Sequence, residues 1–230
     1  MMSSHKNVLK LLGCCVEFYK PVLVCELAEK GPLKLEDMDG TPLPWSARLK
    51  IGKDIANAVA YLHTAFPRVI INRDVRPQNI FFDEDGTAKL SSFCLSISIP
   101  EGESSVYDDK VVYGVSVDPE YNGTGGELGL TWLSAIIGEF GFPFPGCGEE
   151  LADQFMYVID SNIWNGESEA SAVQVETFFG LALRCIRFWP GQDVLTMIDV
   201  AKELKGIEEL FKASSSEQDK EQIDQVNYSV

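Results

Sequence analysis

Two apolar runs near the start of the chain are separated by a short polar turn. The runs, Val8–Glu17 and Val22–Leu27, flank residues 18–21, and this turn ends in a proline. Short apolar runs bounded by turn residues are typical of strands. The pattern therefore predicts two adjacent antiparallel strands.

The apolar period then changes to that of a helix over Trp45–Phe66. Apolar residues recur there close to every 3.6 positions, and Pro67 follows directly, where a helix must end. Residues 30–44 contain five glycines and prolines and are predicted to be a connector. The predicted buried side of the helix consists of Leu49, Ile55, Ala56, Ala58, Val59 and Leu62.

After this helix, the predicted elements are short until the last third of the chain. Val69–Ile71 and Ile80–Phe82 are predicted to be extended, and the Asp-Glu-Asp-Gly stretch at 83–86 is a strong turn signal. Residues 97–131 are expected to be loop-like. Amphipathic patterns predict three further helices, over Glu149–Ile163, Val173–Arg187 and Val194–Phe211.

The charge of the chain is distributed unevenly. The 230 residues are 45% apolar, as in ordinary globular proteins, but 35 acidic residues against 19 basic ones leave a net charge of −16. Residues 1–89 are nearly neutral, with 12 bases and 11 acids, so residues 90–230 carry −17. An acidic surface repels phosphate backbones and anionic lipid headgroups. We therefore expect no nucleic-acid partner, and a basic protein partner fits better.

The cysteines and the first residues exclude other classes of protein. The start of the sequence has no signal-peptide core, and no run approaches the ~18 apolar residues that a membrane span needs. The six cysteines form no Cys-x-x-Cys pair and, with two histidines, predict no zinc site. Cys14, Cys15 and Cys25 lie in apolar runs, so we expect them to be free and buried. The pattern is typical of a reduced, intracellular protein without a membrane span.

Residues 72–79, which read Asn-Arg-Asp-Val-Arg-Pro-Gln-Asn, resemble the catalytic loop of protein kinases. Their neighbours follow the order of that family, with Tyr-Leu-His at 61–63, a stretch at 89–94 in the place of Asp-Phe-Gly, and Asp-Pro-Glu at 118–120. The resemblance implies that Asp74 stands at the position of the catalytic base. It also implies that Asn79 stands at a metal-binding position.

More specific motifs are Leu-Leu-Gly-Cys-Cys at 11–15, Ala-Tyr-Leu-His-Thr-Ala-Phe-Pro-Arg at 60–68, Ile-Pro-Glu-Gly-Glu at 99–103 and Asp-Pro-Glu-Tyr at 118–121. Together they resemble plant receptor-like cytoplasmic kinases, and within that group the ZED-related (ZRK) subfamily of immune pseudokinases. The resemblance implies an adaptor that binds an intracellular nucleotide-binding leucine-rich-repeat (NLR) receptor and receptor-like cytoplasmic kinases. Such an adaptor would lie in the cytoplasm, or at the plasma membrane through its partners.

Asp74 and Asn79 match the family pattern, but other residues that serve phosphoryl transfer are altered in this sequence. Ser92 replaces the Asp that holds Mg²⁺, and Cys94 replaces the Gly that follows. Arg76 replaces the Lys beside the base, which keeps the charge but not the shape. Asn72 replaces the His that packs under the loop. We therefore expect no active catalytic residues and no metal site.

The nucleotide site is reduced as well. The sequence contains no Gly-x-Gly-x-x-Gly lid, and only a remnant hinge is expected, at Cys25, Glu26 and Leu27. The preferred hypothesis is a catalytically inactive Ser/Thr kinase-like protein, a pseudokinase, that holds neither ATP nor Mg²⁺ as a cofactor. One alternative is a weakly active or ATP-binding Ser/Thr kinase that relies on Asp74 and Asn79. Another is a decayed relic with no stable product.

The predicted fold class is α+β, a truncated protein-kinase-like fold with a mainly helical C-lobe and the last strands of the N-lobe. Residues 5–30 would form the N-lobe strands and the hinge, and residues 31–212 the degenerate C-lobe. The helical scaffold of that lobe is expected to be interrupted at 122–146, and residues 213–230 to be a disordered acidic tail. We therefore expect the isolated chain to be marginally stable or to need a partner that covers its core.

Overall fold

The computed structural model describes residues 5–34, 43–103, 106, 169–186 and 195–209. Several predictions fall outside these residues, among them the helix Glu149–Ile163, the interruption at 122–146 and the tail at 213–230. They stay predictions.

The strands of the described part are short and form three antiparallel sheets. The first sheet is a hairpin of two strands, the second has the order β3-β5-β6, and the third pairs β4 with β7. The strands are β1 (Leu11–Cys15), β2 (Val22–Cys25), β3 (Gly31–Pro32), β4 (Ile70–Ile71), β5 (Ile80–Phe82), β6 (Ala88–Leu90) and β7 (Ile97–Ser98).

The predicted antiparallel pair is confirmed as the β1–β2 hairpin, although both strands are shorter than the apolar runs. The residues before β1 turn instead toward β6. Val8 forms a parallel bridge with Leu90, and the side-chain amide of Asn7 donates to the carbonyl of Ala88 at 2.9 Å. His5 stacks on Tyr61 with ring centroids 4.7 Å apart. Residues 5–9 therefore belong to the packed body of the protein, unlike the hairpin that follows them.

The predicted long helix is confirmed as α1, Trp45–Thr64, which has 20 residues. All six residues predicted for its buried side are buried. At its carboxyl end, the N–H of Ala65 donates to the carbonyl of Tyr61 at 2.9 Å, and Pro67 prevents any continuation.

Two further helices pack on α1. They are α2 (Glu169–Ile186) and α3 (residues 197–209). A capping box sets the start of α3, because the N–H of Asp199 donates to the Thr196 hydroxyl and the N–H of Thr196 donates to the Asp199 carboxylate, both at 3.3 Å. The hydrogen bonds from Thr196 hold the pKa of Asp199 below its usual value. None of the described helices is both long and apolar enough to cross a membrane.

A buried polar contact joins the three helices. The indole N–H of Trp45 donates to the side-chain oxygen of Gln174 at 3.0 Å, and the amide of Gln174 donates to the carbonyl of Ile207 at 2.7 Å. The ring of Trp45 also meets Phe178 edge-on, with centroids 5.5 Å apart. This contact fixes the amino end of α1 against α2 and α3.

Three predictions are wrong in this part of the chain. Cys14 and Cys25 are exposed and Cys15 is only partly buried, because no second layer covers the hairpin in the described part. Residues 97–98 form β7 rather than loop, since they pair with β4. Residues 31–32 form β3 rather than connector, since they pair with β5.

Candidate functional site

The loop at 72–79 lies between β4 and β5 and ends in a single 3₁₀ turn, Pro77–Asn79. Ile71 and Val75 anchor it, because both side chains are buried. The stretch that follows β6 runs alongside the loop, and Arg73 donates through Nε to the carbonyl of Leu95 at 2.6 Å. The two segments that carry kinase motifs are therefore in direct contact.

Asn72 connects the loop to the stretch that follows β6. Its side-chain amide donates to the carbonyl of Ser92 at 3.0 Å, and its side-chain oxygen accepts from the N–H of Asp74 at 3.0 Å. The residue is completely buried. Asn72 thus holds the loop together by hydrogen bonds at the position where the kinase pattern has a histidine.

Asp74, at the position of the catalytic base, is buried and held through both carboxylate oxygens. Arg76 contacts Oδ1 through Nε at 2.9 Å, and the Ser92 hydroxyl donates to Oδ2 at 3.2 Å. The Arg76 side chain is 56% exposed and that of Asp74 is 5% exposed. The ion pair therefore joins a buried anion to a solvated cation, and it points the guanidinium toward the carboxylate.

Asn79, at the metal-binding position, is also engaged. Its side-chain amide donates to the backbone carbonyl of Asp74 at 2.9 Å, which leaves the amide oxygen as the atom able to coordinate a cation. Ser91 donates twice to the carbonyl of Asn79, through its N–H at 2.8 Å and its hydroxyl at 2.9 Å. These bonds close the loop into one hydrogen-bonded unit.

Two residues of this unit adopt left-handed backbone conformations. Arg73 has φ of 62° and Ser92 has φ of 60°. Such angles cost a residue with a Cβ about 1–2 kcal/mol, and Asp or Asn tolerates them better than Ser. The backbone at position 92 thus keeps a geometry that suits the Asp of the kinase pattern, while the side chain is a neutral hydroxyl.

An ion pair connects Glu26 of the predicted hinge to Lys89 of β6. Lys89 lies with Nζ 3.0 Å from Glu26 Oε1 and 3.7 Å from Asp83 Oδ2, and Glu26 Oε1 also accepts from the N–H of Lys10 at 3.0 Å. Burial alone would raise the pKa of Glu26, but the bonds from Lys10 and Lys89 hold it below its usual value. The residues on either side, Cys25 and Leu27, are exposed.

The structure thus brings together five of the predicted site residues, namely Asn72, Asp74, Arg76, Asn79 and Ser92. Cys94 is exposed on the turn that follows, and Glu26 of the predicted hinge pairs with Lys89 of β6. Within the described ranges, no three His, Cys, Asp or Glu side chains are grouped closely enough to hold a metal ion. Sequence reasoning missed Lys89 and Arg73, because their partners lie far away in the chain or are backbone carbonyls.

Comparison with known proteins agrees with this geometry. Residues 1–115 match the family model described as protein tyrosine and serine/threonine kinase. The chain is 44% identical to the non-functional pseudokinase ZED1 of Arabidopsis thaliana, over 91% of this chain and 70% of that protein. It is 42% identical to the serine/threonine-protein kinase ZRK1 of the same plant, over 93% of this chain and 68% of the relative. It is 38% identical to the non-functional pseudokinase ZRK2 of Arabidopsis thaliana, over 93% of this chain and 66% of that protein.

The fold and the loop therefore define a protein-kinase-like protein, and the predicted α+β kinase-like class is confirmed. Within the kinases, the chain belongs to the ZED1/ZRK family. The names of its relatives include both kinases and pseudokinases, so the state of this chain must be argued from its own residues.

Proposed function

We propose that the chain is a catalytically inactive kinase-like protein that acts by binding other proteins. The observation that carries this proposal is the environment of Asp74, whose carboxylate oxygens accept contacts from Arg76 and Ser92. In kinases, an Asp at the position of Ser92 holds Mg²⁺, and a hydroxyl is a weak ligand for that hard cation. The Asp74 carboxylate, at the position of the base, is therefore held by Arg76 and Ser92. The carboxylate that would bind Mg²⁺ is replaced by the Ser92 hydroxyl.

The size of the loss supports inactivity. Phosphoryl transfer depends on positioning and on cations that stabilise the transferred group. By analogy with oxyanion donors, losing one stabilising group costs ~3–4 kcal/mol, which corresponds to roughly 10²–10³-fold in rate. Arg76 does not take the place of the Mg²⁺ that an Asp at position 92 would hold, because its guanidinium pairs with Asp74. We therefore expect ATP and Mg²⁺ to be absent as cofactors.

For the partners, we propose an NLR-type plant immune receptor and receptor-like cytoplasmic kinases. The support is the resemblance to the ZED-related subfamily, together with similarity to ZED1 over most of the chain. The net charge of −16 favours a basic surface on the partner. The adaptor would act in the cytoplasm, or at the plasma membrane when its partners lie there.

A second candidate is a weakly active or ATP-binding Ser/Thr kinase. The observation that favours it is the retained pair of Asp74 and Asn79, joined by a 2.9 Å hydrogen bond from the Asn79 amide to the Asp74 carbonyl. Relatives such as ZRK1 carry the name of serine/threonine-protein kinase. This candidate requires Asp74 to exchange its contacts with Arg76 and Ser92 for a substrate hydroxyl.

A phosphorylation assay with Mg²⁺-ATP and a generic basic substrate separates the two candidates. Inactivity predicts the same background signal for the wild type and for Asp74→Asn. The matched control is Asp83→Asn, which changes a carboxylate on the β5–β6 turn that pairs with Lys89. A wild-type signal that survives in Asp83→Asn and disappears in Asp74→Asn would establish the kinase and overturn the pseudokinase.

Co-purification from plant cells tests the proposed partners. The full chain is used as bait, beside a control bait of similar acidity that lacks the kinase-like loop. We expect an NLR-type receptor among the proteins that the chain retains and the control bait does not. Recovery of intact bait without any such receptor would refute the adaptor role, whatever the outcome of the phosphorylation assay.

A further inference from the structure

Two backbone hydrogen bonds mark the points where the β1–β2 hairpin leaves the packed body of the chain and returns to it. Before the hairpin, the N–H of Leu9 donates to the carbonyl of Leu90 in β6 at 2.9 Å. After it, the N–H of Lys30 donates to the carbonyl of Phe82 in β5 at 3.2 Å. Residues 10–29 lie between these bonds, so their orientation to the body depends on what else connects the two.

One ion pair makes that connection. Oε1 of Glu26, directly after β2, lies 3.0 Å from Nζ of Lys89 in β6. Within the described part of the chain, no other hydrogen bond or ion pair joins residues 10–29 to the body. The side chain of Glu26 is 27% exposed and that of Lys89 is 12% exposed, so solvent screens their attraction only in part.

The Glu26 carboxylate is fixed to the hairpin itself. The N–H of Glu26 donates to the carbonyl of Lys10 at 2.9 Å, whereas the N–H of Lys10 donates to Oε1 of Glu26 at 3.0 Å. In a hydrogen-bonded antiparallel pair, the second bond goes to a backbone carbonyl. The carboxylate therefore takes the place of a carbonyl at the base of the hairpin, and the oxygen that faces Lys89 is also held by the first strand.

Lys89 has a second acidic neighbour, which does not belong to the hairpin. Oδ2 of Asp83 lies 3.7 Å from Nζ of Lys89, and Oδ1 of Asp83 accepts from the N–H of Thr87 at 2.8 Å. The bond from Thr87 holds the Asp83 carboxylate on the β5–β6 turn. Breaking an ion pair is most costly when it leaves a shielded charge without a partner. Lys89 keeps Asp83 when the hairpin moves away, so this cost is reduced.

We propose that Glu26, Lys89 and Asp83 form a charge switch that sets the orientation of the β1–β2 hairpin to the body. In the observed state, Lys89 binds Glu26 and lies near Asp83, and the hairpin is held at β6. In the second state, Lys89 pairs with Asp83 alone. The hairpin keeps its own bonds between Lys10 and Glu26 and turns as a unit about its two ends. The switch does not depend on whether the chain is a kinase or a pseudokinase.

Amide hydrogen exchange of the full chain, resolved by NMR, measures this opening. The reporters are the N–H groups of Leu9 and Lys30, because their bonds to the body lie at the two ends of the hairpin. Glu26→Gln keeps an oxygen for the bond from Lys10 but removes the charge, so both reporters should exchange about fivefold faster. Glu17→Gln is the matched control, because it removes the same charge from an exposed position on the hairpin and should change neither rate.

Asp83→Asn distinguishes the switch from a general loss of stability. With Asp83 neutralised, Lys89 has Glu26 as its one charged partner in the described chain, so the two reporters should exchange no faster than in the wild type. The N–H groups of α1 are the reference for global unfolding and should keep their rates in Glu26→Gln. Unchanged reporters in Glu26→Gln, equal acceleration in Glu17→Gln or Asp83→Asn, or acceleration that extends to α1 would overturn the proposal.

Discussion

The catalytic-loop region, residues 71–96, and the β1–β2 hairpin, residues 11–25, hold their side chains in contrasting ways. In the loop region, Asn72 and Asp74 are buried, and each makes contacts through more than one side-chain or backbone atom. In the hairpin, every residue of β2 is exposed. Asn72 and Asp74 are thus enclosed by the rest of the described chain, whereas β2 is not.

The loop region shows that a kinase-like loop conformation can be present without the full set of kinase residues. The loop is held by hydrogen bonds and contains two left-handed residues, and Ser92 stands where the kinase pattern has an Asp. Strain and buried polar networks persist only where the surrounding structure holds them. The loop region is therefore a packed, hydrogen-bonded part of the described chain, whereas β2 of the hairpin is exposed.

The largest effect is expected from Asn72→Ala. This change leaves the carbonyl of Ser92 and the N–H of Asp74 without their side-chain partner, which costs about 3 kcal/mol of the free energy of unfolding. Urea denaturation measures it. The matched control is Asn57→Ala, because Asn57 donates only to the carbonyl of Lys53 within α1 and should cost less than about 1 kcal/mol. Equal losses of unfolding free energy in both variants would mean that the hydrogen bonds of Asn72 stabilise the chain no more than the single bond of Asn57 does.

The next largest effect is a loss of stability in mild acid through His63. Burial lowers the pKa of His63 to about 4 in the folded chain, below its ordinary value of 6.5. The unfolded chain therefore binds the proton first, so this contribution is present above pH 6.5 and is lost as the pH falls toward 4. Between pH 7 and pH 5 the free energy of unfolding should fall by about 2 kcal/mol from this residue.

His63→Gln is the control for that pH dependence. It keeps a polar side chain of similar length but cannot titrate, so its stability should decline less over the same interval. Burial, followed by the charge of Lys6, also lowers the pKa of His5. That second contribution is common to both proteins. An equal decline in the wild type and in His63→Gln would exclude the assigned cause.

Ser92→Asp tests whether the metal site has kept its shape. A carboxylate at this position would lie beside buried Asp74, and the repulsion should cost about 2 kcal/mol in the presence of a chelator. Added Mg²⁺ should recover part of that loss, because two carboxylates and the Asn79 oxygen suit a hard dication. Ser92→Asn is the neutral control and should respond to neither. A loss that Mg²⁺ does not relieve would show that the site has lost its geometry as well as its ligand.

The smallest effect is expected in the hairpin. Leu23→Ala should change the free energy of unfolding by less than about 0.5 kcal/mol at about 1 μM protein, because Leu23 is 54% exposed. Leu62→Ala removes the same side chain from the fully buried face of α1 and should cost about 3 kcal/mol. Similar losses at the two leucines would contradict the contrast between the enclosed and the exposed region.

Local pattern predicted much of the fold. The period of apolar residues predicted α1 and its buried side, and the interrupted apolar runs predicted the hairpin. Strands of two residues, such as β3 and β7, carry no period, because only their distant partners make them strands. The predicted burial of Cys14 and Cys25 was wrong for a related reason. An apolar run does not indicate whether a second layer of structure packs on it.

For the candidate site, the sequence predicted which residues come together but not their contacts. The order of motifs predicted that Asn72, Asp74, Arg76, Asn79 and Ser92 belong to one loop region, and the structure brings them together. The side-chain geometry could not be predicted, because the contacts of Arg76 and Ser92 with Asp74 depend on rotamers. The Glu26–Lys89 pair joins residues far apart in the chain, and no local pattern marks it.

The most direct test of the central claim is a thermal-shift measurement of the wild-type chain with Mg²⁺ and ATP together, and with each alone. A binder with about 100-fold excess of ligand over Kd gains about 2.7 kcal/mol, which raises Tm by roughly 5 °C or more for a chain of this size. A loop that keeps its shape without its metal carboxylate predicts a change in Tm of less than about 1 °C. A rise of about 5 °C that requires both Mg²⁺ and ATP would contradict the account.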